Sequence, residues 1–225
     1  MDFKKGVVIL IDKPLGWTSF NVVDKIRKTV KVKKVGHAGT LDPKATGLMI
    51  ICTGEKTKTI SSYSDLSKEY IGKIFLGKTT PTMDTESLNE ASELKDVQHI
   101  DRRLVEQIAK KFVGEVEQTP PIYSAIWVKG KRAYKFARKG RNINLKPRKV
   151  FIDKFEVTEY NKPLISFIVA CSKGTYIRKL AADLGEELGC GAFLYELRRT
   201  KIGSYNINDA LNLEEFSDLF GSRAN

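Results

Sequence analysis

The stretch from Val35 to Gly47, VGHAGTLDPKATG, constrains this chain more than any other. Gly36, Gly39, Asp42, Pro43 and Gly47 mark a backbone that must turn tightly, yet the segments on either side are regular. Before it, SFNVVDKIRKTV sets Val22, Val23, Ile26 and Val30 on one side of a helix, with Ser19 as its N-cap. After it, LMIICT is an apolar strand. The loop between them carries a single carboxylate, Asp42, among small residues, a setting in which a carboxylate can come close to a bulky substrate.

The other segments extend the pattern. GVVILIDK is a buried strand, Glu55 to Tyr63 a short helix, and KEYIGKIFLG an alternating strand. DRRLVEQIAKKF spaces Leu104, Ile108 and Phe112 as a helix does. RKVFIDKFEVTEY and PLISFIVACS follow as strands, the second apolar enough to be buried along its length, with a turn at Lys173 and Gly174. GTYIRKLAADLGEELG then aligns Ile177, Leu180, Ala181, Leu184 and Leu188 and ends at Gly189 and Gly191; NLEEFSDLF is a last short helix. Without a regular βαβ repeat, these elements predict an α+β domain with a mixed, largely antiparallel sheet flanked by helices. All 225 residues are expected in this domain, with residues 119–150 inserted into it.

Several function classes fail on sequence grounds. The apolar runs are far shorter than the ~20 residues of a membrane span. The first apolar run is interrupted by Asp12 and Lys13 with no small-residue cleavage site after it, so it is expected to be a core strand and not a leader. Cys52, Cys171 and Cys190 are odd in number, with only His37 and His99 beside them, so neither a disulfide framework nor a zinc site is indicated. TGEKTK is not a phosphate-binding loop, and LGCGAF lacks the third glycine of a dinucleotide fingerprint. The cytoplasm is the expected compartment. Chemistry must rest on carboxylate, Tyr, His and Arg side chains.

The net charge of +12 favours a polyanionic partner. From Gln118 to Ile152 there is no acidic residue, while Lys129, Lys131, Arg132, Lys135, Arg138, Lys139, Arg141, Lys146, Arg148 and Lys149 are all cationic. Tyr123, Trp127, Tyr134 and Phe136 are interleaved with them, which suits RNA: aromatics stack on unpaired bases and cations follow phosphates. A solvated hairpin with inward-packed aromatics would carry the same residues.

Residue by residue, the candidates stay open. Asp42 before Pro43 suits a turn as well as catalysis. Tyr70 suits a core strand, and Arg178, in the first turn of its helix, suits a solvated position or a partner that keeps a buried Asp ionised. His37 is a loop histidine.

Taken in order, IDKPLGWTS, VGHAGTLDPKATGLMIICTGEKTK, KEYIGKIFLGKTTPTMD, QTPPIYSAIWVKGKRAYKFAR, GTYIRKLAADLG and LYELRRTKIG resemble the TruB family of tRNA pseudouridine-55 synthases from about Gly6 to Leu213. The resemblance implies the pseudouridine-synthase fold, with the basic insertion as a thumb over the T-stem and loop of tRNA. It places the nucleophilic Asp at Asp42, the Tyr that stacks on the target base at Tyr70 and the Arg that pairs with the Asp at Arg178. The histidine wedge falls on His37, a pocket-lining apolar residue on Leu197, and the early Lys-Pro motif on Lys13 and Pro14; Lys129, Lys131 and Arg132 fall on the thumb. No cofactor or metal is required, no protein partner is obligatory, and a monomer is expected.

Two departures accompany the resemblance. Ser87 stands where the family often has Gly, a change expected to be tolerated, and no C-terminal PUA domain is expected after the helix NLEEFSDLF. Two other functions fit parts of the pattern. A tRNA-folding chaperone would use the same basic segment, and a guide-dependent box H/ACA subunit would share the Asp loop but needs a PUA domain and partner proteins.

Overall fold

The computed structural model describes residues 1–128, 130–141 and 143–221. In chain order the elements are β1 (Val8–Lys13), α1 (Ser19–Val30), β2 (Val35–Ala38), β3 (Ala45–Thr53), α2 (Ile60–Ser64), β4 (Lys68–Leu76), α3 (Arg102–Lys111), β5 (Gly114–Gln118), β6 (Trp127–Val128), β7 (Lys131–Arg132), α4 (Ala133–Ala137), β8 (Arg148–Asn161), β9 (Leu164–Cys171), α5 (Ile177–Glu187), β10 (Ala192–Ile202), β11 (Tyr205–Asn206) and α6 (Leu213–Gly221). They divide into two units, Met1–Ile71 with Glu196–Asn225, and Gly72–Tyr195.

The first unit is organised by β3, which is buried from Gly47 to Thr53 as the unbroken apolar run LMIICT requires. β1 lies antiparallel along one edge, from Val8 opposite Cys52 to Lys13 opposite Gly47. Two strands share the other edge. β10 runs parallel beside Ala45 to Gly47, and β2 antiparallel beside Ile50 to Thr53. Gly47 is required at the first of these contacts: its φ is +108°, and a Cβ there would stand 2.3 Å from the carbonyl oxygen of Arg199. Ala38, Leu48, Ile50, Cys52 and Ile202 are fully buried together, and Tyr63 and Tyr205, edge to face with each other, pack against them.

α1 has the predicted span, but its cap differs. Thr18, not Ser19, is the N-cap; it closes a capping box in which its hydroxyl accepts from the Asn21 N–H at 3.0 Å. Thr18 is extended (φ −78°, ψ 154°), as an N-cap must be, whereas Ser19 is already helical and buried. The Ser19 hydroxyl is thereby left for another partner. The glycine-rich stretch also differs from a plain loop: Val35–Ala38 forms β2, and β3 begins at Ala45.

In the second unit the antiparallel order is β9, β8, β5. β9 buries Ile165, Phe167, Val169 and Cys171 and only half-buries the residues between, so one face carries the core and the expectation of burial along its whole length is corrected. Phe155 of β8 bridges Phe167 and Phe112, with ring centroids 5.9 and 6.4 Å apart. α3, capped by Asp101 accepting from the Leu104 N–H at 2.7 Å, buries Val105, Ile108 and Ala109. β5 and β10 were not foreseen: Glu115 and Glu117 in one, and Glu196, Arg198 and Arg199 in the other, dilute the apolar signal.

Candidate active site

In the first unit Asp42 is half-buried on the turn between β2 and β3, and its backbone is clamped on both sides. The Ser19 hydroxyl accepts from the Leu41 N–H at 2.9 Å and reaches the Leu41 carbonyl at 3.0 Å. The Gly16 N–H donates to the Pro43 carbonyl at 2.9 Å, and the Ala45 N–H to that of Asp42 at 3.0 Å. At about 1 kcal/mol each, these bonds resist a shift of the turn that would move the carboxylate. Capping by Thr18 is what frees Ser19 for this role.

Lys13 ends β1 with no exposed surface, its ammonium donating to the Pro14 carbonyl at 3.0 Å and the Trp17 carbonyl at 2.6 Å. Burial pulls its pKa down to about 8; attraction to the Asp42 carboxylate opposes this fall, repulsion from Arg199 adds to it and Asp12 resists it. Lys13 is thus electrostatically coupled to Asp42 across the turn.

Arg199 was not singled out in the sequence. It lies on β10, opposite Gly47 in register, with its side chain 1 % exposed. Its Nε donates to the Leu48 carbonyl at 2.7 Å and its Nη2 to the Gly39 carbonyl at 3.2 Å. Leu48 falls between the stretches of β3 that pair with β10 and β2, and Gly39 turns the chain with φ +88° just before Asp42. An Arg in a run of mixed charge looks solvated in sequence; only the pairing of β10 with β3 buries it.

His37 sits on β2 opposite Ile51. Its imidazole is half-buried and Nδ1 has no hydrogen-bond partner among the described residues. Burial lowers its pKa below the ordinary value, the Gly39 backbone works against that, and Arg199 adds to it, so the ring is neutral near pH 7. Leu197, half-buried, pairs with Ala45 at the far end of the turn. Tyr70 is buried on β4. Lys13, His37, Asp42 and Leu197 therefore gather around one turn of this unit.

Arg178 belongs to the second unit. It is the second residue of α5 and is buried; its Nη1 donates to the Thr82 carbonyl at 2.9 Å and its Nη2 to the Tyr123 carbonyl at 3.0 Å. Its Nε lies 3.6 Å from Oδ2 of Asp84, itself buried. Asp84 also accepts from the Thr82 hydroxyl at 2.6 Å and the Glu86 N–H at 2.9 Å. Ser87 joins this cluster, its hydroxyl 2.7 Å from that of Thr82; its φ of −115° needs no glycine, so the side chain is accommodated and used. Asp84 is the second functional candidate that sequence reasoning passed over, because an Asp among Thr and Ser is most simply a turn residue. At the start of α5, buried Gln118 accepts from the Tyr176 N–H at 2.7 Å and donates to its carbonyl at 3.1 Å, which seats the turn that carries Arg178.

The basic segment contains the β6–β7 hairpin and α4. Trp127 is 62 % exposed, and the Arg132 guanidinium lies over its ring at 4.4 Å while donating to the Ala125 carbonyl. Lys131, Lys135, Lys139, Arg141 and Lys146 are exposed, whereas Arg148 covers Tyr176 at 4.8 Å and Lys149 pairs with Glu115 at 2.8 Å. Not all of the cations expected on the thumb are therefore available to a ligand. Lys129 lies outside the described residues.

The model of the TruB family pseudouridylate synthase N-terminal domain matches residues 27–177, and that of the tRNA pseudouridylate synthase B C-terminal domain matches 178–224. The chain belongs to the TruB family. Its TruB relatives include proteins named tRNA pseudouridine synthase B from Phocaeicola vulgatus, 50 % identical over 97 % of this chain and 94 % of that protein, and from Chlorobaculum tepidum, 47 % identical over 96 % and 91 %. Among solved structures it is similar to a Cbf5–Nop10–Gar1 complex, with a TM-score of 0.73 and 29 % identity, covering 96 % of this chain and 54 % of that one. A second, an H/ACA RNP bound to a substrate RNA containing 2′-deoxyuridine, has a TM-score of 0.72 at 28 % identity and covers 96 % and 53 %. This TruB chain thus spans about half the length of those structures, and the α+β pseudouridine-synthase fold expected for it is the fold it has.

Proposed function

We propose that this protein isomerises uridine to pseudouridine in tRNA, at position 55 of the T-loop, without a guide RNA. Membership of a family whose relatives, about half identical over nearly their whole length, are named tRNA pseudouridine synthase B carries the reading. The clamped Asp42 turn supports it.

The reaction breaks the bond from ribose C1′ to uracil N1, turns the uracil, joins C1′ to C5 and releases the C5 proton, with no net redox change or hydrolysis. Positive charge grows on the sugar as the first bond breaks, and Asp42 is the carboxylate that meets it, either by adding to C1′ or by taking the 2′ proton. The buried Lys13 ammonium favours the ionised Asp42 through their mutual attraction. Arg178, with its guanidinium held by two carbonyls and Asp84, takes the role the family pattern gives it, the cation that keeps the carboxylate charged. Tyr70 stacks on the base and assists removal of the C5 proton. The nucleotide is flipped out to react, and neutral, half-buried His37 supports the vacated space. Leu197 lines the uracil side.

The basic segment binds tRNA through Lys131 and its neighbouring cations, with Lys129 assigned to the same task from its place in the sequence. The protein acts as a monomer in the cytoplasm without an obligatory protein partner; no helix among the described residues is long and apolar enough to cross a membrane.

The test is incubation of purified protein with an unmodified tRNA transcript, no guide RNA and no cofactor, followed by chemical mapping of pseudouridine. A single modified uridine in the T-loop is expected. Modification only when a guide RNA and partner proteins are added would replace this reading with the H/ACA type, and tRNA folding without modification would replace it with the chaperone.

A further inference from the structure

We infer that Arg199 is a positioning residue for the reaction: its guanidinium forks between the Leu48 and Gly39 carbonyls and holds the Asp42 turn against β3. The inference rests on the reading of Asp42 as the reacting carboxylate.

Three observations converge on Arg199. First, its backbone lies against β3: a Cβ at Gly47 would stand 2.6 Å from the Arg199 nitrogen and 2.3 Å from its carbonyl oxygen, so the two strands are in close contact where the arginine departs. Second, its side chain crosses β3 to reach the turn. Nε bonds the Leu48 carbonyl at 2.7 Å and Nη2 the Gly39 carbonyl at 3.2 Å, three residues before Asp42. The hypothetical Cβ of Gly39 would lie 3.6 Å from Nη1, so the guanidinium plane packs directly under the turn. Third, a buried cation is costly unless something repays it, and Arg199 is 1 % exposed in a place where it also repels buried Lys13. A core of this size could be completed more cheaply with an aliphatic side chain. What the arginine adds is a planar fork with two donors at fixed spacing, tying the turn to a rigid strand.

Ser19 and Gly16 clamp the residues on either side of Asp42 from the α1 side. Arg199 clamps the other limb of the turn from the β10 side. Together they fix the carboxylate within the small tolerance that attack at C1′ allows.

The deciding variant is Arg199→Lys, which keeps a cation and most of the apolar stem but cannot span both carbonyls. Single-turnover rate, tRNA Kd and thermal melting are measured together, with Asp42→Asn assayed alongside. The expected result is a folded protein whose Kd is within about twofold of wild type and whose rate of pseudouridine formation falls about 10- to 100-fold. A wild-type rate for Arg199→Lys would overturn the inference, and so would loss of folding or a parallel loss of rate and affinity, since a residue that only holds the core together does not position the turn. If Asp42→Asn stays active, the reading of Asp42 fails first; if Asp42→Asn is inactive while Arg199→Lys is normal, only the role of Arg199 falls.

Discussion

Asp84 and Arg178 form a buried ion pair in the second unit, Oδ2 to Nε 3.6 Å, with both side chains almost fully removed from solvent. The distance is long for a direct charge-assisted hydrogen bond. Nη1 and Nη2 of the guanidinium also donate to the carbonyls of Thr82 and Tyr123, and Oδ1 of Asp84 accepts from the Thr82 hydroxyl and the Glu86 N–H. Arg178 is therefore held in one orientation from three sides. Replacing Asp84 by Asn should cost about 3 kcal/mol in stability, because one partner of a buried pair is removed. Pseudouridine formation should fall at least about tenfold while tRNA Kd is retained. Chemical denaturation and single-turnover kinetics check this, and a variant with wild-type rate and stability would show the pair to be incidental.

Asp42→Asn should abolish pseudouridine formation with the fold and tRNA affinity retained. The amide is nearly isosteric but is a poor nucleophile and a poor base, so attack at C1′ and removal of the 2′ proton both fail. Buried Lys13 loses the attraction that opposes its desolvation, so a stability loss of about 1 to 3 kcal/mol is expected. Circular dichroism and a filter-binding assay must accompany the rate. A folded variant active at a comparable rate would remove Asp42 from the mechanism.

Tyr70→Phe should keep the ring on its strand and leave tRNA affinity unchanged, since Tyr70 is buried on β4. Turnover should fall to a small fraction of wild type because the phenolic oxygen needed near C5 is gone. A normal single-turnover rate would reduce Tyr70 to a stacking platform.

Lys131→Gln should weaken tRNA binding and lower the salt slope by about 0.7 to 0.9 log units, the contribution of one phosphate contact. Lys131 is exposed and forms no ion pair among the described residues, whereas Arg132 is engaged by Trp127 and the Ala125 carbonyl. Arg132→Gln should therefore change the slope less than Lys131→Gln. Equal slopes for both variants and wild type, from Kd measured across salt concentrations, would remove the β6–β7 hairpin from the RNA contact.

Lys13 predicts a pH dependence whose sign is fixed by its depressed pKa. Between about 8 in the folded protein and 10.5 unfolded, the unfolded chain binds the extra proton, so this group makes stability rise with pH across that window. Cys52, pushed up to about 11 by burial, works in the opposite direction at the alkaline end, since the folded state keeps its proton longer. The two are separated by comparing wild type with Lys13→Met in urea melts from pH 7 to 10.5. The wild-type curve should rise relative to the variant by up to about 3 kcal/mol, and parallel curves would show that Lys13 is not desolvated.

Much of this protein is legible in its sequence because the signals are local. The span of α1, the buried run of β3, the helix bearing Arg178 and the turn bearing Asp42 follow from side-chain periodicity and turn chemistry within a few residues. The tertiary structure alone decided which polar groups are buried and against what. Ser19 looked like a cap until Thr18 took that place and left its hydroxyl to Leu41. Arg199 drew no notice in the sequence; only the pairing of β10 with β3, about 150 residues earlier in the chain, placed its guanidinium against the Gly39 carbonyl. Asp84 was given no role in the sequence; α5 brings Arg178 to it. The physical reason is one of range. Periodicity reports which side of an element faces a core, whereas a buried charge survives only where partners from distant segments repay its desolvation, and no local pattern records where those segments meet.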